Sequence, residues 1–130
     1  MEVVVQTQDV RLEVWGRDYA RFERLGVEEI GQMAKRLGLP IDRAGQNGGP
    51  VATALLELEK RERLGMKFEG YIILPPRADA RITIDAILYP INEDLLESVG
   101  GAIDIAFKCG AWRAPDEITE ENGYIKLWWD

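Results

Sequence analysis

The stretch Phe68-Glu69-Gly70-Tyr71-Ile72-Ile73-Leu74, followed by Pro75-Pro76 and then by Arg81-Ile82-Thr83-Ile84-Asp85-Ala86-Ile87-Leu88, decides how this chain folds. Its first half is rich in aromatic and β-branched residues and reads as a strand. The two prolines cannot donate to a ladder and end it. The second half alternates: Ile82, Ile84, Ala86 and Leu88 against Arg81, Thr83, Asp85 and Ile87. Period two predicts a second strand, and the pair reads as a hairpin across residues 75–80. On this pattern Asp85 and Thr83 face solvent, opposite the apolar side.

Working outward, Val10, Leu12 and Val14 alternate with Arg11, Glu13 and Trp15, a strand whose hairpin partner is Val3–Val5. Asp18 is placed to cap a short helix in which Tyr19, Phe22 and Leu25 recur every three residues. Val27, Ile30, Ala34 and Leu37 mark a longer helix, with Glu28 and Glu29 at its start and Lys35 and Arg36 at its end, as the helix dipole favours. Gly38 supplies a left-handed stop and Pro40 blocks continuation. A glycine-rich loop, 42–49, leads through Pro50 into a second longer helix to Gly65. Its face carries Val51, Leu55 and Leu58, and its surface the i,i+4 pairs Glu57–Arg61 and Glu59–Arg63.

Beyond the central hairpin, Asn92 is placed to cap a short helix through Val99, and Gly100-Gly101 to break it. Ile103, Ile105 and Phe107 alternate with Asp104, Ala106 and Lys108, which predicts a strand with Asp104 outward. Pro115 to Glu121 reads as an acidic connection with one helical turn, Asn122-Gly123 as a tight turn, and Tyr124–Trp129 as the last strand. Paired strands and clustered helices predict a single α+β domain. Its sheet is mostly antiparallel, covered by two longer and two shorter helices.

Composition limits the chemistry. The 130 residues include no His and one Cys. That excludes Ser-His-Asp and Cys-His nucleophile systems, histidine metal ligands, an internal disulfide and a Cys-rich zinc site. No catalytic residue, metal ligand or cofactor is assigned. Cys109 reads as a small apolar residue. The absence of a long apolar run and of a basic, apolar N-terminal leader predicts a cytoplasmic protein with no membrane partner.

The charge is uneven. Residues 1–81 are balanced, with 13 basic and 13 acidic side chains, whereas residues 82–130 hold 3 basic and 10 acidic ones, the whole net charge of −7. Phosphate backbones are repelled by such a segment, so nucleic acid is disfavoured. A basic protein partner is attracted. The same third holds Trp112, Trp128 and Trp129. Neighbouring strand residues point to opposite faces, so Trp128 and Trp129 cannot both enter one core. Trp112, Trp128, Trp129, Glu117, Glu120 and Glu121 are therefore the candidate interaction residues, for another protein or for self-association. The expected function is non-catalytic, that of an inhibitor, immunity-type, assembly or effector component.

Two other readings are open. The loop Gly45-Gln46-Asn47-Gly48-Gly49-Pro50 before a helix presents backbone donors at Gly48, Gly49 and Val51 for an anion. It would belong to a small-molecule site or a carboxylate-dependent enzyme, with Asp85 and Asp104 as the carboxylates of interest. Helices Val27–Leu39 and Val51–Glu59, followed by the hairpin, also resemble a winged-helix DNA-binding unit over about half the chain. The resemblance departs at the connection 38–50, longer than the motif's turn. The second helix also begins Pro50-Val51-Ala52-Thr53-Ala54, without a side chain that reads bases.

Overall fold

A computed structural model describes the backbone of residues 2–7, 10–15 and 19–130, and the side chains from Tyr19 onward. The order is β1 (Glu2–Thr7), β2 (Val10–Trp15), β3 (Tyr19–Leu25), α1 (Val27–Leu37), α2 (Ala52–Glu62), β4 (Lys67–Ile73), β5 (Arg81–Pro90), α3 (Leu95–Lys108), β6 (Glu117–Glu121) and β7 (Tyr124–Trp128). The strands form one antiparallel sheet in the order β1-β2-β3-β4-β5-β7-β6. The α+β class stands, with three helices among the described residues where four were expected.

The differences have identifiable causes. Tyr19–Leu25 is a strand, not a short helix. A bulge between Phe22 and Leu25, with Arg24 at φ +53°, puts these two residues on one face although they are three apart. A strand with a bulge thus copies helical spacing. The proposed cap at Asp18 lies outside the described residues. Ile103–Lys108 is not a strand, since helix α3 runs through Gly100-Gly101. Ala102 and Ala106 are buried, and a Cβ at Gly101 would lie 3.1 Å from the Tyr89 hydroxyl. Small residues let α3 sit close on β5, and that packing outweighs the roughly 1 kcal/mol per glycine. Its N-cap is Asp94, whose carboxylate accepts from Glu97 N–H at 3.1 Å. Asn92 instead accepts from Asp94 N–H and from the Ser98 hydroxyl. Residues 117–121 form strand β6, not a helical turn.

The expected left-handed stop and tight turn hold, and the two expected ion pairs on α2 do not. Gly38 ends α1 at φ +65°. Asn122 and Gly123, at φ +47° and +87°, join β6 to β7, as a two-residue hairpin with left-handed positions requires. The pair Glu59–Arg63 does not form. Glu59 turns inward and accepts from Gly65 and Met66 N–H at 3.1 and 2.9 Å, holding the chain where α2 ends. Arg61 pairs with Glu62 in place of Glu57.

One apolar cluster joins the helices to the sheet. It includes Phe22, Ile30, Leu55, Phe68, Ile72, Ile84, Ile87, Leu127 and Trp129. Strand β4 packs tightly on β5: a Cβ at Gly70 would lie 2.0 Å from Thr83 O. The bulge on β3 and another on β5, where Asp85 is the extra residue, flank β4 at the level of Glu69 and Gly70. Bulges bend and twist a sheet, and here the bend is large. In a flat sheet β3 and β6, four steps apart, would be separated by about 19 Å. Arg24 Nη2 nevertheless lies 3.2 Å from Glu121 Oε2. The helix-free face is therefore concave.

Candidate interaction surface

The segment that leaves α3 is pinned at several points. Trp112 N–H donates to Gly48 O at 3.0 Å, and Asp116 N–H to Trp128 O at 2.8 Å. Arg113 grips Asp116 through two bonds of 3.1 and 2.8 Å and donates to Asp130 O at 2.9 Å. Its Nε donates to Asn47 O. The Arg113 hydrogen bond, aided by Asp130 N–H, holds the Asp116 carboxyl below its ordinary range. On this fixed segment Trp112 is 78% exposed. The indole is presented by a backbone that has little freedom left to lose.

Segment 112–116 leads directly into β6, an edge strand on which Glu117 and Glu120 are exposed. Glu121 is half-buried and paired with Arg24 at 3.2 Å and Lys126 at 4.0 Å. Glu117, register partner of Trp128, projects on the concave side, and Glu120, register partner of the buried Ile125, on the helix-covered side, so the two glutamates border one edge from opposite faces. Trp129 does not belong to it: the ring is fully buried, with Nε1 donating to Arg113 O at 3.0 Å. Trp128 turns to the concave face, half-buried, where Nε1 donates to Asp85 at 3.3 Å. The expected division of these two neighbours between opposite faces holds, and Trp129 drops out as an interaction residue.

The anion cradle is not formed. Gly49 N–H donates to Gln46 O and Val51 N–H to Cys109 O, both at 2.8 Å. Gly48, Gly49 and Pro50 are buried, and a Cβ at Gly49 would lie 3.0 Å from the Trp129 ring. The glycines serve close packing on that tryptophan. The winged-helix likeness fails as well, because β4 and β5 are interior strands and do not make a free wing. Cys109 is buried, and that burial pushes its thiol pKa up.

The concave face carries a charged cluster that the alternation of β5 concealed. Asp85, expected in solvent, is 2% exposed, as is Glu69. Arg21 Nη1 lies 3.1 Å from Asp85 Oδ2, and Arg21 Nη2 3.5 Å from Glu69 Oε1. Lys126 Nζ lies 2.8 Å from the same Glu69 oxygen. The Arg21 guanidinium stacks 5.0 Å from the Tyr71 ring centre. Burial alone would lower the Arg21 pKa; Asp85 first, together with Tyr71 and Glu69, outweighs it and raises the pKa. Burial first, and Asp85 second, push the Tyr71 phenol up. Two acids thus balance two bases. Near the mouth a polar hollow of about 430 Å³ is lined by Glu23, Arg24, Glu69, Glu120, Glu121 and Lys126 among others. Asp104 lies apart, exposed on α3. The run Ala86-Ile87-Leu88 was the available signal, since consecutive apolar residues mark a strand buried on both faces.

Among the described residues, no group of three or more Cys, Asp or Glu side chains is arranged to hold a metal ion. No described helix is long and apolar enough to cross a membrane. Comparison with known protein families, curated proteins and solved structures found no match.

Proposed function

We propose that this protein works without catalysis, by docking another protein along the acidic edge of β6, where Glu117 and Glu120 project to either side, and on the adjoining exposed Trp112. The observation that carries this reading is the exposed indole of Trp112 on a pinned segment. Tryptophan is enriched at interaction hot spots, and an anchor held in place before binding loses little entropy. The local glutamates favour a basic partner and faster encounter. A cytoplasmic setting accords with the single cysteine.

The test compares tagged wild-type chain with Trp112→Ala and with Glu117→Gln/Glu120→Gln. The expected result is one partner retained by wild type, released by salt and lost from both variants, with the melting temperature unchanged. Equal retention by all three proteins would refute it.

A second reading, a small-ligand site, is favoured by the polar hollow beside Glu69. Thermal shift with nucleotides, polyamines and divalent cations tests it. Stabilisation lost in Glu69→Gln is its expected signature, and no stabilisation by any of them rejects it.

A further inference from the structure

Trp129 N–H donates to Asp85 O at 2.9 Å, and this fixes the hydrogen-bonding phase of β7. Its odd-numbered residues bond to β5, so Tyr124, Lys126 and Trp128 bond to β6. Their register partners Glu121, Thr119 and Glu117 turn their main-chain groups inward. Ile118 and Glu120 then each aim one N–H and one C=O outward, along an edge where no described strand pairs.

A row of apolar side chains reaches the same edge on the helix-covered face. Leu25, Phe68, Ile87, Leu127 and Ile118 are successive register partners across five strands. The first four are 2% exposed or less, whereas Ile118 is 47% exposed. Glu117, Thr119 and Glu121 point to the opposite face, and Glu120 shares the face of Ile118. Among the described residues neither Glu117 nor Glu120 has an ion pair.

We infer that β6 is a docking edge that takes an extended segment of a partner protein as the next strand of the sheet. Lys or Arg of that segment lies opposite Glu117 and Glu121, and an apolar residue lies opposite Ile118. This inference rests on the reading that the acidic surface docks a protein, and it specifies how. Main-chain bonds supply affinity in such strand addition, and alternate side chains supply selectivity. The charge chooses the occupant. A second copy of β6 would bring glutamates against glutamates, which opposes edge-to-edge pairing. A basic strand meets opposite charge at the same positions.

The probe is a blocked heptapeptide alternating Lys and Val, titrated into the isotope-labelled full chain at low salt. Amide exchange at Ile118 and Glu120 slows by about tenfold or more on saturation. Ile118→Pro and Glu120→Pro each remove only an outward donor, a change that edge strands tolerate. Each variant, checked for an unchanged melting temperature, binds about tenfold more weakly; one that folds is sufficient. A Glu/Val heptapeptide does not bind. Binding without slowed exchange, undiminished in the proline variants, overturns the edge inference and leaves the acidic-surface reading standing. Binding that also survives Glu117→Gln/Glu120→Gln overturns both. Absence of binding, or copies of the chain joined through β6 in sedimentation, overturns the edge inference alone.

Discussion

The Arg21 guanidinium and the Asp85 carboxylate meet at 3.1 Å on the concave face, from strands β3 and β5 that do not pair with each other. They face each other across β4, and the Arg21 and Asp85 side chains are 11% and 2% exposed. At that burial the pair acts as a lock on sheet curvature.

Removing Asp85 leaves Arg21 only the longer 3.5 Å contact with Glu69, an acid that Lys126 also holds. Asp85→Ala leaves the Arg21 charge in a poorly solvated site and the Trp128 N–H without its acceptor. We expect a loss of about 3–5 kcal/mol, within the range for breaking a buried pair. That corresponds to a melting temperature lower by about 10 °C or more. Replacing both partners, Arg21→Met with Asp85→Leu, restores much of the loss, because the desolvation penalty goes with the charges. A double-mutant cycle by chemical denaturation measures the coupling. A value near zero would show that the pair does not hold the sheet.

Acid should reveal a second electrostatic contribution at Asp42. Burial pushes its carboxyl up, but hydrogen bonds outweigh that and leave its pKa below the ordinary 3.8. Ala44 N–H donates to it at 2.9 Å, Arg81 at 3.2 Å and Gln46 at 3.4 Å. A carboxylate whose pKa is lower in the folded chain stabilises fully above its unfolded value. It loses that contribution as pH falls through the folded value. Asp42→Asn should therefore cost about 1–2 kcal/mol at pH 7, with the deficit shrinking below about pH 4. Urea titrations across this range provide the check. A pH-independent deficit would mean that lost geometry, not lost charge, explains it.

How much of this was written in the sequence depends on which physical contribution decides each element. Gly38 and Asn122-Gly123 act through local backbone preference, and both were legible. So was the opposition of Trp128 and Trp129, which follows from the pleat alone. The bulges were not legible. At Phe22–Leu25 and Ile84–Ile87 an extra residue turns period two into a step of three. The first then reads as a helix, and the second puts Asp85 in solvent and the buried Ala86 and Leu88 on the wrong face. Glycines 100 and 101 misled for a related reason: Gly101 serves close contact with Tyr89, which no local pattern encodes, and a Cβ at Gly100 would meet nothing within 4 Å. At the surface, charge pointed to Glu117 and Glu120 and residue type to Trp112. The free edge at Ile118 required the register.

Two glycines separate steric closeness from backbone conformation as reasons for having no side chain. A Cβ at Gly70 would meet Thr83 O at 2.0 Å and Ile84 Cα at 2.8 Å, both backbone atoms of the neighbouring strand. Neither can yield unless β4 and β5 separate. A Cβ at Gly123 meets nothing within 4 Å, but the residue sits at φ +87°. Gly70→Ala should therefore cost about 3 kcal/mol or more, at the upper end of overpacking. Gly123→Ala should cost about 1–2 kcal/mol, the penalty of the left-handed region for an L-residue. Gly123→Asn should recover part of that loss, because asparagine tolerates the conformation, whereas Gly70→Asn should be no better than Gly70→Ala. Chemical denaturation of the four variants checks the order. Equal losses at the two positions would mean that β4 and β5 do not approach this closely, and the curvature that forms the concave face would need another cause.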